Sequence, residues 1–215
     1  MKIVPAILAD NYEDFLMRLR QAESFTDYVQ IDLMDGTFVS SVSFPAENLT
    51  DTTTSLSFEL HLMVKHPLAY MSRVFNPNIK KVIFHFESDV KHRDFIDQMK
   101  KRGVDAGVAI KPETRIDEFR ETAEMVDTLL FLTVDPGSYG SPFRPEVLDK
   151  IREARNVFNG KTISADGGVS LDNLGMFLDA GVDYVCVGSR IFLQGNPAQN
   201  YNHFVSKLEK IEVQS

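Results

Sequence analysis

Eight short apolar runs, separated by longer amphipathic stretches, dominate this chain and leave few architectures open to it. The runs lie at residues 4–8, 28–34, 58–64, 81–86, 105–110, 128–134, 161–166 and 184–188 and are rich in Val, Ile and Phe. Runs this short and this apolar read as strands buried on both faces. The stretches at 14–25, 91–103, 116–126, 145–158 and 171–181 carry apolar residues at helical spacing, as Ile116, Phe119 and Ala123 show. After the second run a long loop intervenes, and a helix is expected to begin late, near Pro45 or Ala46. Strands alternating with helices pair in parallel. Eight such repeats within 215 residues fit a closed (β/α)8 barrel, expected as a single domain over 1–215, better than an open doubly wound sheet.

Bulk properties remove several functional classes. A net charge of −8 argues against a nucleic-acid partner, which calls for a basic face. No apolar run is long enough to span a bilayer, and the N-terminus lacks a basic-then-apolar leader, so the expectation is a cytoplasmic protein without a membrane partner. The single cysteine, Cys186, excludes an internal disulfide framework and a cysteine-based zinc cage. Set in an apolar run, it reads as a small buried hydrophobe.

Several strands break their apolar pattern at the C-terminal end. The second ends on Asp32, Met34, Asp35 and Gly36, the third carries His61, and the seventh closes on Asp166, Gly167 and Gly168. Polar groups inside apolar strands are costly unless they pair or bind something, and a (β/α)8 barrel places its active site at these ends. Alternation puts Gln30, Asp32 and Met34 on one face, His61 and Met63 on one face, and Ser164 and Asp166 on one face. Two carboxylates meeting in a barrel mouth suit removal of a proton from one face of a carbon and its return to the other. With a histidine beside them they could also hold a divalent cation.

Each residue also has a plainer reading. An Asp at a strand end commonly forms a turn, and for Asp35, beside Gly36, that reading is preferred. A lone His61 is more often a hydrogen-bonded core residue, and Met34 and Met63 are by default core filler. The functional reading rests on the combination at one end of the barrel. Phosphate binding has separate support: Gly167 and Gly168 follow the seventh strand, Gly188 and Ser189 follow the eighth, and the sixth runs into a loop containing Gly137, Gly140 and Ser141. Glycines there let backbone N–H groups approach an anion.

Over essentially its whole length the chain resembles the ribulose-phosphate 3-epimerase family. The motifs that carry the resemblance are Pro5 to Asn11, Gln30 to Gly36, His61-Leu62-Met63, His85-Phe86-Glu87, Pro136 to Phe143, Asp166-Gly167-Gly168 and Gly188-Ser189. The resemblance implies a barrel of the ribulose-phosphate-binding type that interconverts ribulose 5-phosphate and xylulose 5-phosphate through an enediolate. It implies Asp32 and Asp166 as the acid/base pair and a divalent metal (zinc, iron, manganese or magnesium) at Asp32, His61 and Asp166. Gln30 would take the fourth metal position, Met34 and Met63 would line the site, and the glycine loops would hold the phosphate. A small-molecule sugar phosphate is the expected partner, and a homo-oligomer the expected assembly.

The chain departs from the family pattern at the substrate end. Gln30 stands where the family has a histidine, Ala6 and Ala9 replace serines, Leu132 replaces a methionine, and Ser138-Tyr139 replace Phe-Gly. A neutral amide oxygen is a weaker ligand for zinc than imidazole, so reduced metal affinity is expected. Two alternatives follow: an epimerase for a related sugar phosphate such as allulose 6-phosphate, and a non-catalytic sugar-phosphate binder. A decarboxylase or aldolase of the related barrels would want a lysine two residues after the strand carboxylate, where Met34 stands after Asp32.

Overall fold

In the computed structural model, which describes residues 1–137 and 141–214, each apolar run overlaps a strand. They are β1 (Lys2–Ile7), β2 (Tyr28–Met34), β3 (Ser57–Met63), β4 (Ile79–His85), β5 (Asp105–Ile110), β6 (Thr128–Leu132), β7 (Thr162–Asp166) and β8 (Tyr184–Val187). They close into a barrel in sequence order, and every neighbouring pair, β8 with β1 included, is parallel. This is the (β/α)8 architecture expected from the alternation of patterns.

The helices are α1 (Tyr12–Ala22), α2 (Pro67–Met71), α3 (His92–Lys101), α4 (Ile116–Met125), α5 (Val147–Val157), α6 (Leu174–Asp179), α7 (Ser189–Phe192) and α8 (Pro197–Gln214). Local chemistry sets the start of α1: the Asn11 side chain accepts the Asp14 N–H at 2.9 Å, and Glu13 and Asp14 lie in the first turn. The late helix expected near Pro45 is a 3-10 helix, Ala46–Asp51, rather than a full α-helix. Three consecutive threonines, Thr52 to Thr54, follow it, and β-branched side chains oppose its continuation. Among the described residues, no helix is long and apolar enough to cross a membrane.

Alternation along the strands divides the interior in two. Outward-facing Val29, Ile31, Leu33, Phe58, Leu60 and Leu62 join Phe15, Phe95, Phe119 and Phe177 of the helices in one large apolar core. Each such side chain contributes roughly 1.5–3 kcal/mol by leaving water, and this sheet–helix layer is what holds the barrel shut. The inward faces are apolar only in part: Val4, Ala6, Ile83, Ala109, Leu130 and Leu132 fill some of the lumen. The remainder holds a polar column of Glu59, Gln30, Asp32, His61, His85 and Ser164, all buried. At its lower end the Glu59 carboxylate accepts from Tyr28 Oη at 3.1 Å, Tyr184 Oη at 3.0 Å and Lys81 Nζ at 3.2 Å. Burial and the Glu59 charge push both phenols up, so they remain donors. A buried charge persists only when paired this completely.

Candidate active site

Strand register assembles the upper end of the column. Asp32 on β2 pairs with His61 on β3, Ala6 on β1 with Gln30 on β2, and Asp166 on β7 with Cys186 on β8. Asp32, His61 and Asp166 therefore meet across the C-terminal mouth, each able to offer one ligand atom, with these atoms all within 4.8 Å of one another. His61 Nδ1 lies 3.0 Å from Asp32 Oδ1 and 3.4 Å from Asp166 Oδ2.

Gln30 is in the cluster in a different role from the expected one. Its amide nitrogen donates to Asp32 Oδ1 and to Asp166 Oδ2, each at 2.8 Å. Its oxygen points away from them and accepts the Cys186 thiol at 3.0 Å. Cys186 is buried as expected, but it acts as a hydrogen-bond donor as well as filler. The inward alternation of Tyr184 and Cys186 was the available signal for this, since it aims the thiol into the lumen.

Behind His61 runs a relay of fixed polarity. His61 Nε2 lies 3.0 Å from His85 Nε2, and His85 Nδ1 lies 3.2 Å from Glu87 Oε2. Glu87 Oε1 also accepts the Lys111 N–H at 3.0 Å and the Thr114 hydroxyl. An ionised carboxylate only accepts, so His85 carries its proton on Nδ1 and leaves Nε2 to accept from His61. His61 Nδ1 is then the atom turned toward the two aspartates. The same period-2 alternation that exposes His61 to the lumen does so for His85, and the motif His85-Phe86-Glu87 was its trace in the sequence.

The cluster shifts its own protonation equilibria. Burial and then the Asp166 charge raise the Asp32 carboxyl to about 6, against the hydrogen bonds from His61 and Gln30. Burial depresses His61, but hydrogen bonds to Asp166 and Asp32, with their charges, overcome it and lift the imidazole to about 9. Burial pushes His85 down to about 4, only partly offset by Glu87. A histidine whose folded pKa is raised contributes stability that is complete below its ordinary value and lost as pH rises through the folded one. Chelator-treated protein is therefore expected to lose melting temperature between pH 6.5, the ordinary value, and about 9. Thermal melts at the two ends of that window measure it. A His61→Asn variant should show a flatter profile, and an equal loss in the variant would assign the effect elsewhere.

A cavity of about 430 Å³ opens above the cluster. Asp32, His61, Met63 and Asp166 form one side of it, with Ala6, Leu8, Leu132 and Cys186 beside them. Met34 is buried, packing with Leu8, Val39 and Met63, and is not among the described lining residues. Gly137, Ser141, Gly167, Gly168, Gly188 and Ser189 line the same cavity, so the three glycine loops converge on it. Gly140, with its neighbours Ser138 and Tyr139, lies outside the described residues.

Gly167 and Gly168 have φ of 103° and 65°, where only glycine sits without strain. A Cβ on Gly167 would also strike Val134, and one on Gly168 would lie 2.8 Å from Phe143 Cβ. Their carbonyls are tied back, Gly167 O to the Thr133 hydroxyl at 2.5 Å and Gly168 O to Asn173 Nδ2 at 2.9 Å. Ser170, Asn173 and Arg190, which had no motif to mark them, complete this side of the cavity. Asp35 is a turn former: Oδ1 accepts the N–H groups of Thr37 and Phe38, each at 2.8 Å, and Oδ2 that of Lys65 at 2.7 Å.

The Asp32–His61–Asp166 set offers one imidazole nitrogen and two carboxylate oxygens. That set fits a divalent cation held by three protein ligands with positions left open. Gln30 presents N–H groups to it, and an N–H is no ligand.

The model of the ribulose-phosphate 3 epimerase family matches residues 2–192. The chain is similar to ribulose-phosphate 3-epimerase of Schizosaccharomyces pombe, 28% identical over 204 residues, covering 92% of this chain and 90% of that protein. It is similar to ribulose-phosphate 3-epimerase of Chlamydia muridarum, 30% identical over 178 residues, covering 79% and 78%. Among solved structures, 3-hexulose-6-phosphate synthase from Salmonella typhimurium superposes with a TM-score of 0.70 at 15% identity, covering 98% of this chain and all (100%) of that one. Thiamine phosphate pyrophosphorylase from Pyrococcus furiosus gives 0.65 at 14% identity, covering 98% and 96%. At these identities the two structures speak to the barrel fold alone.

Proposed function

The chain belongs to the ribulose-phosphate 3-epimerase family, an isomerase family, and from that premise we propose that it interconverts ribulose 5-phosphate and xylulose 5-phosphate by proton transfer at C3. The observation that carries this reading is the convergence of Asp32 and Asp166 on one amide nitrogen, 2.8 Å from each, at the mouth of a cavity walled on its far side by glycine loops. The sugar lies between the two carboxylates with C3 facing them. One aspartate, ionised, removes the C3 proton, the electrons pass to the C2 carbonyl oxygen as the enediolate forms, and the other aspartate, protonated at the start, gives its proton to the opposite face, so the two end with their protonation states exchanged.

Asp32, raised to about 6, is ionised at neutral pH yet a stronger base than an ordinary aspartate. A divalent cation held by Asp32, His61 and Asp166 would supply positive charge beside the reacting carbonyl. His85 and Glu87 keep the His61 ring in one orientation, and Met63 places an apolar, polarizable wall against the sugar. Gly167, Gly168, Gly188 and Ser189 offer backbone N–H groups to the phosphate, and Arg190 adds a cation at the cavity edge. Binding through main-chain donors lets a chain of net charge −8 hold an anion.

The test is titration calorimetry with ribulose 5-phosphate and with unphosphorylated ribulose, alongside proton exchange at C3 in deuterated buffer. We expect the phosphorylated sugar to bind far more tightly and to exchange. Equal affinities would remove the phosphate site from the reading. Tight binding without exchange, with or without added metal, would leave a binding protein. Running the exchange assay on allulose 6-phosphate in parallel decides between the five- and six-carbon sugars.

A further inference from the structure

We propose that Cys186 is a positioning residue, whose thiol holds the Gln30 amide as a donor to Asp32 and Asp166 and keeps the amide oxygen out of any bound metal's coordination shell. The inference rests on the reading of Asp32, His61 and Asp166 as the cation site. Both amide hydrogens of Gln30 are committed to carboxylates, and its oxygen receives the thiol proton at 3.0 Å. Turning the amide over would aim its oxygen at two carboxylate oxygens and lose both charge-assisted bonds. A cation between the carboxylates changes that balance. It satisfies their charge and attracts the amide oxygen, so the preference for the donor orientation falls, and the thiol holds the amide in it.

The surroundings leave the thiol free for that role. Its other acceptor, Glu59 Oε1, is at 4.0 Å, and that carboxylate is already met by Tyr28, Tyr184 and Lys81. Burial, then the Asp166 and Glu59 charges, keep Cys186 a protonated thiol. Gln30 and Cys186 also occupy neighbouring strand positions by register, Gln30 opposite Ala6 on β1 and Cys186 opposite Val4 on the same strand. The small Ala6 between them leaves their side chains free to meet. Gln30 thereby acts as a neutral clamp that fixes the separation of the two carboxylates, and the cation keeps three protein ligands.

Two measurements test this separately from turnover. The chain has one cysteine, so its S–H stretch in the infrared is unambiguous. The band should lie at a hydrogen-bonded frequency in the wild type and move toward the unbonded thiol in Gln30→Leu. A band that does not move overturns the contact, whether or not the protein binds metal. Calorimetric titration with Mn2+ then reads the coordination. Gln30→Leu loses the clamp on the two carboxylates and should bind Mn2+ about 10–100-fold more weakly than the wild type. Cys186→Ala, whose freed amide can turn its oxygen inward, should bind it about tenfold more tightly, the low end of effects from residues around metal ligands. Cys186→Ser, which keeps a donor, should restore wild-type affinity. Cys186→Ala and Cys186→Ser behaving alike would overturn the proposal, as would Cys186→Ala binding Mn2+ no more tightly than the wild type. If the wild type and every variant fail to bind Mn2+, the cation site is at fault, and the infrared result alone decides the thiol contact.

Discussion

Asp32→Asn and Asp166→Asn are each expected to slow C3 proton exchange by about 10²–10⁴-fold, the range for loss of a general acid or base. The geometry lets both substitutions keep their hydrogen bonds. Asp32 Oδ1 and Asp166 Oδ2 each accept from Gln30 Nε2 at 2.8 Å, and an asparagine oxygen can take up the same bond. What each variant loses is the ability to carry a proton and, with it, one anionic ligand of the candidate cation site, so exchange is measured with and without added metal. Both variants keep the hydrogen bond to Gln30, so neither is expected to unfold the barrel, and melting temperatures check that. The two losses should fail to add in the double variant, since a single missing partner already breaks the transfer from one face of C3 to the other. Exchange near the wild-type rate in both single variants would refute the two-aspartate mechanism while leaving the fold untouched.

Gln30→His is expected to raise zinc affinity by more than the roughly 10–100-fold that changes behind the ligands produce. The wild-type set of one imidazole and two carboxylates is hard for a zinc site and leaves the Gln30 oxygen facing Cys186. A histidine at this inward position on β2 would offer a ring nitrogen to the same three-residue cluster and complete a four-ligand set. Elemental analysis should find less than stoichiometric zinc in the purified wild type and more in the variant. Stoichiometric zinc in the wild type would show that the three remaining ligands suffice for this metal, and that the argument from donor softness fails.

Much of the barrel was legible because its signals are local and periodic. Apolar runs such as 128–134, bounded by helical patterns, mark strands buried on both faces, and period-2 alternation turns Asp32, His61 and Asp166 inward. The same logic read Asp35 as a turn former, since its side chain bonds to backbone groups two and three residues on. The chain could also be read as carrying glycines after β6, β7 and β8, and closure of the barrel brings those loops to one cavity.

What sequence could not determine is which way a side chain faces its neighbours on other strands. Gln30 and Cys186 lie 156 residues apart, and Gln30 and Asp166 136 apart. Only closure of β8 against β1 places them side by side, so the amide's orientation, and with it the change from weak metal ligand to donor, belongs to the tertiary structure. The relay from His61 through His85 to Glu87 is of the same kind, because its polarity depends on which ring atoms the barrel curvature brings within reach. Local pattern sets the face of a strand on which a residue sits. The partner it meets there is set by register and closure, which depend on the packing of all eight strands at once.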